Sequence, residues 1–250
     1  MECLACKELN GEQIEGLNSQ LLCEDCYIDQ LCDSKPVCNP WSEYLSTRSG
    51  FEVDKNVIQE KKIKSIEELL QMIYSLGATD ARIISTNEFE IRDELALLCE
   101  NPRCENFGTS FNCPPHISGP DGFRKLIRKY SEAIVFRLLV PSEIMYSHQR
   151  IEIFRLLHEI GATIEEEAKK LGYINSKAYA GGSCKKLFCS DHLSCNILSE
   201  KGKCRNPEVA RQSMSGFGIN VSKLMVSAGL EIDPSNKSVK ESCGMILIGS

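Results

Sequence analysis

An α+β domain, a mixed sheet covered by helices and carrying cysteine-rich cluster loops, is the fold class this sequence predicts. A small zinc-ribbon-like unit precedes it. Three observations lead there. Apolar runs of strand length alternate with helical periodicities from Ser65 onward. The cysteines fall between these elements, in residues 99–113 and 184–204, not inside them. A separate group lies in residues 3–38, ahead of the first periodic helix.

The first unit spans residues 1–40. "CLAC" and "CEDC" give Cys3-x2-Cys6 and Cys23-x2-Cys26, with sixteen residues between the pairs. Each x2 pair fits a tight turn that aims two sulfurs at one point, and two such knuckles complete a tetrahedral Zn2+ site. A redox dithiol pair or a rubredoxin-like iron is the competing reading. A unit this short has too little core to fold unaided, so the metal would hold it together. Cys32 and Cys38 stand in "LCDSKPVC" without an assigned role. Residues 41–64 are polar with few periodic apolar positions and read as a linker; Trp41 packs on a neighbouring unit.

The main domain runs from 65 to 250. "SIEELLQMIYSLG" opens with a capping box, Ser65 and Glu68, and closes at Gly77. "DARIIST" is a strand, and "EFEIRDELALLC" is a mixed stretch that delivers the chain to Cys99. After the cysteine loop, "GPDGFRKLIRKY" is a short helix and "EAIVFRLLV" a strand with an almost continuous apolar run, hence central. "SHQRIEIFRLLHEIGATIEEEAKKLG" is a long helix with a kink expected near Gly161. "INSKAYAGG" is a strand ending at Cys184, "GINVSKLMVSAG" a helix, and "CGMILIG" the closing strand. Strands at 79–85, 132–140, 174–180 and 243–248 suggest one sheet with helices on one side.

The composition restricts the chemistry. Net charge is −6, so nothing points to nucleic acid or an anionic membrane as partner. No apolar run approaches a bilayer span. "MECLACKELNG" has no basic start and no apolar signal core, which predicts a cytoplasmic protein. Fourteen cysteines in a reducing compartment point to metal or cluster ligation, not disulfides. "GGSC" and "SGFG" lack phosphate-loop spacing and read as tight turns. No Ser-His-Asp arrangement, HExxH or dinucleotide fingerprint is present, so whether the chain is an enzyme stays open.

Two groups carry the chemistry. Cys184-x4-Cys189-x5-Cys195-x8-Cys204 has uneven loops with Gly before and Pro after. A cubane spreads its four corners over a larger body than one ion, so this spacing suits a [4Fe–4S] cluster, with a closed zinc site as the alternative. Cys99, Cys104 and Cys113 give only three thiolates. Three hold a cluster by three corners and leave the fourth to a non-cysteine ligand, water or substrate. His116 and Cys243 are the candidate fourth ligands, although a single His beside a loop is more often ordinary. Three, four and Cys243 together make eight, enough for two clusters. Arg205 and Arg211 either balance cluster charge, bind an anionic substrate or make surface salt bridges.

The order of a loop ending Cys-Pro-Pro, a Gly-Gly-x-Cys strand end, three further cysteines and "CRNPEVARQSMSGFGINV" resembles an uncharacterised family of predicted metal-binding proteins from anaerobic bacteria and archaea. The resemblance covers about residues 65–248 and implies Cys99, Cys104, Cys113, Cys184, Cys189, Cys195 and Cys204 as ligands. Three functions follow as expectations. The first is an iron–sulfur protein passing electrons to a redox partner protein. The second is an enzyme with an open-site [4Fe–4S] cluster acting on a small substrate. The third is a zinc-only structural or interaction module. Oligomeric state is not encoded in any feature of the sequence.

Overall fold

A computed structural model describes residues 65–101, 103–199, 202–231 and 238–249. The expected zinc ligands Cys3, Cys6, Cys23 and Cys26, and Cys32, Cys38 and the 41–64 linker, lie outside the described residues. In chain order the elements are α1 (Ile66–Ser75), β1 (Asp80–Ser85), α2 (Asp93–Leu97), α3 (Gly119–Ile127), β2 (Glu132–Pro141) and α4 (Ser142–Met145). They continue with α5 (Arg150–Lys170), β3 (Lys177–Ala180), α6 (Cys184–Phe188), α7 (Asn196–Ser199), β4 (Gln212–Ser213), α8 (Val221–Ser227) and β5 (Val239–Ile248). The sheet order is β1-β2-β5-β3-β4, antiparallel throughout except for the parallel β3–β4 pair. The predicted α+β class with a mixed sheet is the observed one.

Local chemistry explains the elements. Ser65 caps α1 through its hydroxyl, which accepts from the Glu68 N–H at 3.3 Å. Gly77 ends the turn that follows, with φ +104°. In β2, Ile134, Phe136, Leu138 and Val140 face one side of the sheet, and Ala133 and Val135 face the other. β5 alternates in the same way, with Ile246 and Ile248 against Met245 and Leu247.

Both faces of the sheet are therefore buried, which corrects the expectation of helices on one side. The first face packs on α1 and α5, through Leu69, Ile73, Leu156, Leu157, Ile160 and Ile164. The second packs on α3, α8 and a 3-10 turn at Ser215–Phe217, through Phe123, Phe217, Leu224 and Met225. Phe123, Tyr179 and Phe217 meet there at centroid distances of 5.2–5.5 Å, the geometry aromatic rings prefer.

Three further expectations are adjusted. α5 runs as one helix, Arg150–Lys170. Gly161 serves the packing: a Cβ there would lie 3.4 Å from the Ala178 Cβ of β3. β3 begins at Lys177 and β5 at Val239. β4 is only two residues long and was not anticipated. Among the described residues, no helix is long and apolar enough to cross a membrane.

Candidate metal centre

The three-cysteine loop is built from turns. Cys99 leaves α2 with its N–H donating to the Ala96 carbonyl at 3.1 Å. The Cys104 N–H then donates to the Cys99 carbonyl at 3.0 Å, which brings the two residues together. The Gly108 N–H donates to the Pro114 carbonyl at 2.8 Å and closes the rest of the loop. Gly216 packs against this closure: a Cβ there would come within 2.6 Å of the Pro114 ring. Cys99, Cys104 and Cys113 all line one open cavity of about 470 Å3.

The four-cysteine group starts where β3 ends. Gly181 and Gly182 pass directly under the Phe154 ring, where a Cβ would sit 3.2–3.3 Å from it, and Gly182 has φ +86°. This turn swings the chain off the sheet edge into Cys184, the first residue of α6. His158 holds the turn, its Nε2–H donating to the Gly181 carbonyl at 3.1 Å, while its Nδ1 accepts from the Arg211 N–H at 3.1 Å. Burial pulls the His158 pKa down to about 4, so the ring is neutral at neutral pH. Arg155 on α5 donates to the Leu187 carbonyl at 2.8 Å and secures α6. Cys184, Cys189, Cys195 and Cys204 line a second, smaller and more enclosed cavity of about 20 Å3.

Hydrogen-bond donors surround the sulfurs. The Cys184 Sγ lies 3.1 Å from the Ser110 hydroxyl and accepts from the Asn112 amide at 3.5 Å. Cys189 accepts from the Asn206 amide at 3.1 Å. The Cys113 thiol donates to the Ser183 hydroxyl at 3.5 Å. Ser110 and Asn112 belong to the three-cysteine loop yet serve a sulfur of the other group. Ser183, next to Cys184, serves the three-cysteine group. Lys186 and Glu105 add an ion pair across the same boundary. The two groups are thus neighbours, stitched together by side chains from both.

Burial pushes the thiols of Cys99, Cys113 and Cys189 up, and Cys184 to about 11. The thiols also act on one another: Cys104 raises Cys99, and Cys113 raises Cys184. Lys185 and Arg205 work the other way at Cys189. A soft metal taken up here would displace these protons, since thiolates are the ligating form. Among the described residues, no three His, Cys, Asp or Glu side chains are gathered closely enough to hold a single metal ion. The sulfurs ring two spaces and do not meet at a point.

The remaining candidates sit elsewhere. Cys243 is on β5, 7% exposed within the second core face, where burial pushes its thiol to about 12. His116 is exposed, its Nε2 3.4 Å from the Gly108 carbonyl. Neither lines either cavity. Arg205 lines the four-cysteine cavity and donates to the Ser194 carbonyl at 3.0 Å. Arg211 is buried and pairs with Glu165 at 3.0 Å, so its partner is a carboxylate within the protein. Sequence reasoning missed Ser110, Asn112, Ser183 and Asn206. Their position within three residues of a cysteine is the signal that marks them in retrospect.

A thiol-rich α+β domain of this kind carries the donor set of a metal-binding protein. The chain belongs to the predicted metal-binding protein family DUF2284, whose model matches residues 82–248. That span contains both cysteine groups and Cys243. No curated protein and no solved structure matches the chain.

Proposed function

We propose that this protein is a cytoplasmic iron–sulfur redox protein with two adjoining cluster sites, one closed and one open to substrate. Cys184, Cys189, Cys195 and Cys204 would hold the closed [4Fe–4S] cluster, and Cys99, Cys104 and Cys113 the open one. The contrast between the two cavities carries this reading: four thiols around about 20 Å3, three thiols beside about 470 Å3. Clusters held by thiolates supply one-electron chemistry at potentials set by their hydrogen bonds and exposure.

The chain's own residues support such roles. Ser110, Asn112 and Asn206 direct donors at sulfurs, the outer contacts that tune a thiolate-held group. Ser183 accepts from the Cys113 thiol and is the chain neighbour of Cys184, so one hydrogen bond and one peptide link join the two groups. The enclosed group suits an electron relay filled by a redox partner protein. The open group suits binding of a small substrate, which favours the enzyme reading over a pure carrier. An amino-terminal Zn2+ on Cys3, Cys6, Cys23 and Cys26 completes the proposed metal content.

The test is anaerobic iron, sulfide and zinc analysis of the full-length protein. About eight iron atoms per chain, with one zinc, are expected, and a brown colour from cluster absorbance. Cys189→Ser should remove one cluster's signal and Cys104→Ser perturb the other. A colourless protein containing zinc alone overturns the reading in favour of a structural module.

A further inference from the structure

The cavity beside Cys99, Cys104 and Cys113 has a distinctive lining. Leu95, Leu98, Phe107, Ile219 and Val221 supply apolar surface. Ser213, Ser215 and Ser222 supply hydroxyls that make no hydrogen bond to the described residues. The Asn220 side chain also lines it, but its atoms are engaged: the amide donates to Glu90 at 3.2 Å, and the oxygen accepts from the Lys223 N–H at 3.1 Å. No Asp, Glu, Lys, Arg or His is among the described lining residues. A charged ligand would lose water there without gaining an oppositely charged side chain, which is costly. Leu98 is 58% exposed, an apolar side chain left in solvent on a space of ligand size.

We infer that this cavity binds an uncharged organic molecule of one or two rings, whose apolar body meets Leu95, Leu98, Phe107, Ile219 and Val221 and whose hydroxyl or carbonyl groups meet the three serines. This names the substrate class of the open site and rests on the reading above only in placing that substrate next to a cluster. The cavity volume of about 470 Å3 lies within the range of small-molecule sites. The three free hydroxyls donate and accept, so they match alcohols, carbonyls and amides equally.

The experiment uses the full-length, anaerobically reconstituted protein. It compares 2-naphthylmethanol, 2-naphthoate and 2-naphthylmethylammonium by calorimetric titration, which reads binding without any turnover. These probes share one apolar body and differ in charge. The neutral alcohol should bind roughly tenfold more tightly than either ion. Leu98→Ser and Ser215→Asp should each weaken the alcohol by roughly fivefold or more. Both side chains are exposed, so the fold tolerates the changes. The inference is overturned if either ion binds as tightly as the alcohol, if none of the three binds, or if both variants bind the alcohol unchanged. Iron and sulfide measured on the same sample separate the two readings. Selective binding without iron keeps the cavity assignment and removes the clusters, and iron without selectivity does the reverse.

Discussion

At the scale of single residues, the cysteines were legible and their supports were not. Spacing marks a ligand because turns must aim sulfurs together, but a serine that reaches a sulfur 74 positions away leaves no local trace. Ser110 is the clearest case. Removing its hydroxyl takes a hydrogen-bond partner from the Cys184 sulfur, so, on the proposed function, Ser110→Ala should lower the potential of a cluster held by the four-thiol group without changing its iron content. A redox titration that shows no shift would rule out this tuning role. Arg211 is the opposite lesson. The sequence offered cluster charge, substrate or a surface bridge, and the structure gives a buried pair with Glu165, which also accepts the Ala178 N–H at 2.7 Å and pairs with Lys169. Arg211→Ala removes one of the two cations on that carboxylate, leaves Lys169 and the Ala178 N–H, and should cost about 1.5–3 kcal/mol in denaturant unfolding. His158 gives a pH dependence with a defined sign. Its folded pKa, about 4, lies below the unfolded value of 6.5, so the unfolded chain binds the extra proton between them. Its contribution is complete above pH 6.5 and lost as pH falls toward 4, by up to about 3 kcal/mol. His158→Gln should flatten unfolding curves across that window; an unchanged slope would refute the assignment.

At the scale of elements, the long and strongly periodic segments were readable. α1 showed its capping box and stripe, and α5 its stripe over five turns. The interior strand β2 showed seven apolar positions between Ala133 and Val140, interrupted only by Arg137. That residue is 8% exposed and paired with Asp80 at 2.9 Å and Glu241 at 3.4 Å, which is how a cation is kept within a central strand. The run also carried information that went unused: a strand apolar on both sides needs cover on both sides. The second cover is built from short pieces, α3, α8 and the 3-10 turn, whose periodicity is too brief to register. β4 has two residues and no pattern at all, since its pairing with β3 comes from tertiary contact. These short pieces nonetheless fix the cysteine loop. Gly216→Ala would drive a methyl group into Pro114 and Ile117. It should cost about 1–3 kcal/mol and loosen the three-thiol group more than the four-thiol one. Comparing metal retention at the two groups after mild heating checks the asymmetry.

At the scale of the whole molecule, the sheet is the frame that makes two separate cysteine groups into one region. β1 and β2 form an antiparallel unit; β3 and β4 form a parallel one, and the second cysteine group leaves from the end of β3. β5 lies between them, bonded to β2 on one side and β3 on the other. Cutting into that strand should therefore separate the halves. Gly244→Val would collide with the Phe136 ring, which a Cβ already approaches to 2.4 Å. Loss of metal from both cysteine groups together is expected, and retention at either one would show that the halves assemble independently.

The position of β5 also sets an order of events during synthesis. All seven cysteines of the two groups precede Val239 in the chain, and the strand that brings the two halves side by side is made after them. At roughly 5–20 residues per second, the ribosome holds the earlier segments exposed for several seconds before residues 239–248 emerge. Through that interval the thiols belong to an unassembled chain, open to oxidants and to stray metals alike. The nascent chain thus has to keep its thiols reduced at a stage when its own architecture cannot yet shield them.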